Sequence, residues 1–211
     1  MLYLDGQNNT SYGHSTNATT WKDLSGNGND VTIHGAIWKE DCLYFDGTDD
    51  YAVIAEMNYS NLTMEAVAMY TQIVDGESVI IGNVEAGGYL LAKANAENNM
   101  SFYVNIDGAY YRAKSNKDMQ INKKAYFAGK YDGTTVAFFE NTSKYTGSKT
   151  GTITTTKNNT KMMLGTNPSG NSQAGSFFQG NIYCVRVYNR ALTDDEINAN
   201  YEIDKYRFNI E

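Results

Sequence analysis

Four groups of residues in this chain carry side chains able to do chemistry. The first is WKDLSGNGND, Trp21 to Asp30, with two Asp, two Asn and two Gly in ten positions. A helix-flanked calcium loop places oxygen ligands at its first, third and fifth positions, Gly at the sixth and a bidentate Glu at the twelfth. Counted from Asp23, the residues Ser25, Asn27 and Gly28 meet the first half of that pattern. His34 then falls at the twelfth position and offers no carboxylate. The same stretch begins a dinucleotide fingerprint at Gly26 and Gly28, but Val31 occupies the place of the third glycine and no Lys follows. What remains is a rigid turn, with a calcium site built on Asp23 and loop carbonyls as the alternative.

The second group is Phe45-Asp-Gly-Thr-Asp-Asp-Tyr51, where Asp46, Asp49 and Asp50 could surround a hard cation. An Asp-Gly turn between two core strands accounts for it equally simply, and is favoured. The third group is the set of carboxylates that hydrolysis would need. Glycosidases hold an acid and a base or nucleophile about 5–10 Å apart across the scissile bond. Glu202-Ile-Asp204 is the tempting string, but Lys205, Tyr206 and Arg207 follow it. It is read as a solvated segment. His14 and His34 stand alone, without metal spacing or a triad partner. The expectation is a chain that is not an enzyme.

The fourth group is aromatic. Tyr89, Tyr103, Tyr110, Tyr111, Tyr126, Tyr131 and the two Trp exceed what a core of this size must hold. A Tyr ring offers a flat apolar face with a polar tip, suited to stacking on a sugar ring. Tyr89, Tyr103, Tyr110 and Tyr131 are the candidate ligand-binding residues. For any single one of them, packing within or across strands is the competing role. Cys42 and Cys184 are expected on strands close enough for a disulfide, although two buried free thiols are favoured.

Composition narrows the rest. The net charge of −7 argues against a nucleic-acid partner, which requires concentrated Lys and Arg. No stretch approaches the roughly 20 apolar residues of a membrane span, so membrane insertion is not expected. The N-terminus MLYLDGQNNT lacks the basic flank and apolar run of a secretory signal. That suggests an excised domain with an added Met, or export without a cleaved signal.

These residues must be positioned by strands. Short apolar or alternating runs recur between Gly, Asn and Asp turns: 2–5, 42–46, 51–55, 62–71, 78–82, 89–93, 101–106, 109–114, 124–131, 134–140, 161–164 and 180–188. The Asp-Gly pairs at 107–108 and 132–133 are hairpin signals. The segment 141–160 reads as a hairpin or surface connection. Near the C-terminus Thr193 and Glu196 form a capping box, and Ile197 and Tyr201 share one face of a short helix. The expected fold is all-β, a sandwich of antiparallel sheets with one short C-terminal helix, in a single domain over residues 1–211.

Four strings in order then carry a resemblance: Trp21 to Asp30, Leu43 to Tyr51, Tyr131-Asp-Gly-Thr134, and Gly180 to Ile197. Together they resemble the laminin-G-like branch of the concanavalin A-like lectin/glucanase superfamily, over nearly the whole chain. The resemblance implies a jelly roll with one concave sheet, a ligand on that sheet or at the loop rim, and calcium as a candidate structural cofactor. The paired-glutamate motif of the glucan-hydrolysing members is missing. The polar pair usual after Gly-x-Ile is replaced by Tyr183-Cys184. The expected function is a non-catalytic carbohydrate-binding or adhesion module for a cell-surface or extracellular glycan. The alternative is a structural or protein-interaction domain of a phage virion or multi-domain surface protein. Either implies an extracellular, cell-surface or virion location.

Overall fold

The computed structural model describes residues 1–157, 160–169, 172–173 and 175–211. Its first strands are β1 (Leu2–Asp5), β2 (Thr20–Trp21), β3 (Val31–His34), β4 (Ile37–Trp38), β5 (Leu43–Asp46) and β6 (Tyr51–Val53). Next come β7 (Leu62–Tyr70), β8 (Ser78–Gly82), β9 (Tyr89–Lys93), β10 (Met100–Ile106), β11 (Ala109–Lys114) and β12 (Ala125–Tyr131). The last are β13 (Thr135–Glu140), β14 (Ser143–Ser148), β15 (Met163–Leu164), β16 (Pro168–Ser169), β17 (Ser172–Gln173) and β18 (Gln179–Tyr188), followed by the helix α1 (Asp194–Phe208).

Two antiparallel sheets form the sandwich. One runs β14-β13-β12-β7-β18-β5-β4, with β1 joining β18 beyond β5. The other runs β11-β10-β9-β8-β15-β6-β3-β2. Apolar side chains alternate into the space between them, as the period of two requires. Leu43, Met64, Phe127, Phe138 and Val185 from the first sheet meet Trp21, Ile80, Leu91, Phe102 and Val104 from the second. Gly129 on β12 leaves the room that the Phe102 ring fills; an added Cβ there would lie 2.2 Å from the ring.

The helix covers the outer face of the first sheet. Its Ile197, Tyr201 and Phe208 pack on Val67, Tyr126, Ala128, Phe139 and Cys184. The strands β7 and β12 are therefore buried on both faces, which explains their near-continuous apolar runs. A bulge between Ile182 and Cys184 turns Tyr183 and Cys184 together toward the helix. This accounts for Tyr183-Cys184 in place of a polar pair.

The capping box forms as expected, but the helix runs past Tyr201 to Phe208. Glu202-Ile-Asp204 is thus helical, and Asp204 is fully buried on Arg186 rather than solvated. The strand β14 opens the segment read as a hairpin or surface connection, and it pairs with β13 as the second arm of a hairpin. Cys42 and Cys184 are buried free thiols. Burial pushes the Cys42 thiol up to about 12, so neither thiol has the character of a nucleophile.

Candidate functional site

The opening loop is a turn organised from within. Asp23 is buried, and its carboxylate accepts hydrogen bonds from the backbone N–H of Tyr3 (3.1 Å), Ser25 (2.9 Å) and Asn29 (3.0 Å) and from the Ser25 hydroxyl (2.9 Å). Burial alone would raise its pKa; the bonds from Ser25, Tyr3 and Asn29 outweigh that and hold it below the usual carboxylate range. A carboxyl with a depressed folded-state pKa stabilises the fold above its unfolded value and loses that contribution as pH falls through the folded one. We therefore expect Asp23→Asn to destabilise the chain at neutral pH by about 1–3 kcal/mol. The difference from the parent should shrink below pH ~4, the unfolded carboxyl value. Urea unfolding of both proteins across that range checks this.

The second acidic loop is different. Ligand oxygens of Asp46, Asp49 and Asp50 lie within 4.8 Å of one another, with the first two exposed and Asp50 buried. The Asp50 carboxyl is raised, first by burial and also by the charges of Asp46 and Asp49; the Asp46 backbone N–H (2.8 Å) opposes this. Among the described residues this is the one cluster whose spacing could hold a divalent cation.

The four candidate Tyr residues divide by strand parity. Tyr89 faces inward on β9 and is 1% exposed, and its hydroxyl donates to the Met57 carbonyl at 2.6 Å. Tyr131 ends β12 between the sheets, fully buried, with its hydroxyl on the Lys149 and Gly151 carbonyls. Neither ring can stack on a sugar. Both are core residues whose polar tips are satisfied by loop carbonyls.

Tyr103 and Tyr110 lie on the opposite, outward face of the second sheet. Cross-strand register arranges that face in three rows. Ala92, Ser101 and Lys114 form the first, Leu90, Tyr103 and Arg112 the second, and Asn105 and Tyr110 the third. Val79, Leu90 and Ala92 make an apolar floor against which Tyr103 and Val84 pack. Tyr110 is 47% exposed at the rim, its hydroxyl near the Gly87 carbonyl (3.4 Å).

Arg112 donates from Nη1 to the Tyr103 hydroxyl (3.0 Å) and from Nη2 to Glu97 (2.8 Å), which reaches in from the β9–β10 connection. Lys114 Nζ lies 3.0 and 2.9 Å from the two Glu97 oxygens. The hydrogen bonds from Lys114 and Arg112 hold the Glu97 carboxyl down to about 2. Among the described residues, Ser101 Oγ and Asn105 Oδ1 are buried with no hydrogen-bond partner. A face with a half-buried ring, a second ring exposed at its edge and a cation pair can hold a polyhydroxylated ring.

Sequence reasoning missed Arg112, Lys114 and Glu97. The alternation in Ala109-Tyr-Tyr-Arg-Ala-Lys114 was the available signal, since it puts Tyr110, Arg112 and Lys114 on one face. Glu97 lies on a loop and carried none. Two cavities lie elsewhere. One of 270 Å³ is lined by Lys117, Lys123, Glu140, Asn141 and Tyr145, and one of 180 Å³ lies beside Tyr59 and Thr152. Neither includes Tyr103 or Tyr110. No helix among the described residues is long and apolar enough to cross a membrane.

A family model described as the concanavalin A-like lectin/glucanases superfamily matches residues 45–198. No curated protein matches the chain in sequence. Among solved structures, Trypanosoma rangeli sialidase in complex with sialic acid aligns over 95% of this chain at 16% identity and TM-score 0.68. The chain spans 32% of that enzyme's length. Domain 4 of an extracellular arabinanase from Geobacillus stearothermophilus, in complex with arabinotriose, aligns at 16% identity and TM-score 0.70. That alignment covers 84% of this chain and 90% of the domain. The CBM40 of the Ruminococcus gnavus IT-sialidase, bound to α2,3-sialyllactose, aligns at 19% identity and TM-score 0.56, over 68% of this chain and 83% of its own. At these identities the likeness is one of fold.

Proposed function

The chain belongs to the concanavalin A-like lectin/glucanases superfamily, and within it we propose that it serves as a non-catalytic carbohydrate-binding module. The observation that carries this reading is the outer face of β9–β11, where Tyr103 and Tyr110 stand beside Arg112 over an apolar floor. Stacking supplies the apolar part of affinity, and the partly exposed Arg112 and Lys114 side chains supply hydrogen-bonding partners for sugar hydroxyls. Two of the three structures described above hold oligosaccharides on domains that this chain covers nearly or largely end to end, which supports the same reading. The role assigned is recognition of an extracellular or cell-surface glycan.

Calcium is proposed as an accessory ion, with Asp46, Asp49 and Asp50 as its ligands. Calcium at a hundredfold excess over its dissociation constant then stabilises the fold by about 2.7 kcal/mol. Thermal unfolding with calcium and then with excess chelator reads this directly. A midpoint that calcium does not move rejects the ion site and leaves the glycan site untouched.

Calorimetric titration with neutral and acidic oligosaccharides, with and without chelator, tests the function. Saturable binding at micromolar to millimolar concentration is expected. No heat with any glycan at millimolar concentration turns the reading to its alternative, a structural or protein-interaction domain.

A further inference from the structure

We propose that the outer face of β9–β11 recognises a carboxylate-bearing sugar, and that Glu97 occupies the place of the sugar's carboxylate in the resting protein. This rests on the glycan-binding reading above and deepens it. One carboxylate, that of Glu97, sits between two cationic donors on one strand: Arg112 Nη2 at 2.8 Å and Lys114 Nζ at 2.9 and 3.0 Å, while Arg112 Nη1 donates separately to the Tyr103 hydroxyl. A guanidinium and an ammonium converging on one carboxylate are an anion-recognition arrangement, since charge-assisted bonds are the strong ones.

Two features separate this from an ordinary surface ion pair. The cations are fixed by the sheet, on alternate residues of β11, while the anion is delivered by a connection. Within that connection Ala96 holds a left-handed φ of 57°, uncommon for a residue with a Cβ. The cations belong to the sheet and the anion to a connection.

Charge points the same way. Two cations against one carboxylate leave this corner of the face positive on a chain whose net charge is −7. Glu85 and Glu77 carry their negative charge toward Tyr110, at the other end of the face. A sugar bearing one carboxylate would therefore bind in a single sense. Its carboxylate lies at Arg112 and Lys114, its ring lies over Tyr103, and its uncharged end lies toward Tyr110. Uronates and sialates share this chemistry.

Glu97 is tethered, so it competes with a ligand carboxylate at high effective concentration. Glu97→Gln removes that competitor and leaves both cations in place. The test titrates the parent chain, Glu97→Gln and Arg112→Gln with oligogalacturonate and α2,3-sialyllactose as acidic probes. Arabinotriose and lactose serve as neutral ones. For at least one acidic probe we expect binding about tenfold tighter than for the neutral sugars, lost in Arg112→Gln, as for one charge-assisted hydrogen bond. Glu97→Gln should tighten that acidic probe several-fold further and leave neutral sugars unchanged. Which acidic probe responds distinguishes a uronate from a sialate site. Neutral sugars binding as tightly as both acidic probes, with Arg112→Gln unaltered, overturn this inference and leave the glycan-binding reading standing. Absence of binding by any sugar to any variant overturns both.

Discussion

Replacing Arg186 by alanine is expected to destabilise the chain by about 3–5 kcal/mol, the cost of stranding buried charge. Arg186 on β18 donates both guanidinium nitrogens to Asp204 of α1, at 2.6 and 2.8 Å, and lies 3.3 Å from Glu65 on β7. Asp204 is fully buried and Glu65 nearly so. Asn200 donates to both Glu65 oxygens (3.0 and 3.1 Å), and Arg207 adds Asp5 at 2.6 Å and Asp204 at 3.3 Å. The network fastens the helix to the outer face of the first sheet beside the apolar contacts of Ile197, Tyr201 and Phe208.

The alanine variant leaves two carboxylates buried without their central cation. Burial already raises the Glu65 carboxyl above its ordinary value, against the pull of Arg186. With Arg186 gone, its folded-state pKa must rise further above the unfolded one. A raised carboxyl pKa means that the folded protein takes up a proton as pH falls, so the loss should shrink on acidification from neutral pH toward 5. Urea denaturation of parent and variant at several pH values measures both effects. A triple variant with Arg186→Met, Glu65→Gln and Asp204→Asn should recover much of the loss, because no charge is then stranded. A loss below 1 kcal/mol in Arg186→Ala would show that the network contributes no more than an exposed ion pair.

The second large effect concerns binding. Tyr103→Ala should weaken glycan binding about tenfold to hundredfold, or ~1.4–2.8 kcal/mol, the scale of an interface anchor. The ring lies between Leu90 and Arg112 in register, packs on the apolar floor and fixes the Arg112 fork through its hydroxyl. Tyr103→Phe separates the two roles. It keeps the ring and releases Arg112 Nη1, so most of the stacking should survive. Thermal unfolding of each variant guards against loss of fold, since Tyr103 is only half-buried. Unchanged affinity in Tyr103→Ala would remove this face from the binding site.

Much of this was legible in the sequence, for identifiable reasons. Ile106-Asp-Gly-Ala109 announced its hairpin because Asp107 and Gly108 both adopt positive φ, the geometry such tight turns need. The Thr193 and Glu196 capping box marked the helix start, where local chemistry decides the outcome. The helix end was hidden, because Asp204 and Arg207 look solvated until Arg186 and Asp5 are brought to them from strands. Short strands such as β2 and β4 were missed because their two residues carry no period.

The face proposed as the site is legible only in part, because in Tyr89-Leu-Leu-Ala-Lys93 every residue is buried and no alternation tells inward from outward. Tyr89 and Tyr131 were therefore indistinguishable in sequence from Tyr103 and Tyr110. Alternation on β11 made Arg112 and Lys114 readable, whereas Glu97 reaches them from a connection that sequence spacing does not place.

Amide chemical-shift mapping on the isotopically labelled chain, during titration with a bound oligosaccharide, tests the central claim most directly. Perturbations gathered on β9, β10 and β11 and on the 83–88 and 94–99 connections are the predicted result. Perturbations gathered instead around Lys117, Asn141 and Tyr145, or on the face covered by α1, would contradict it.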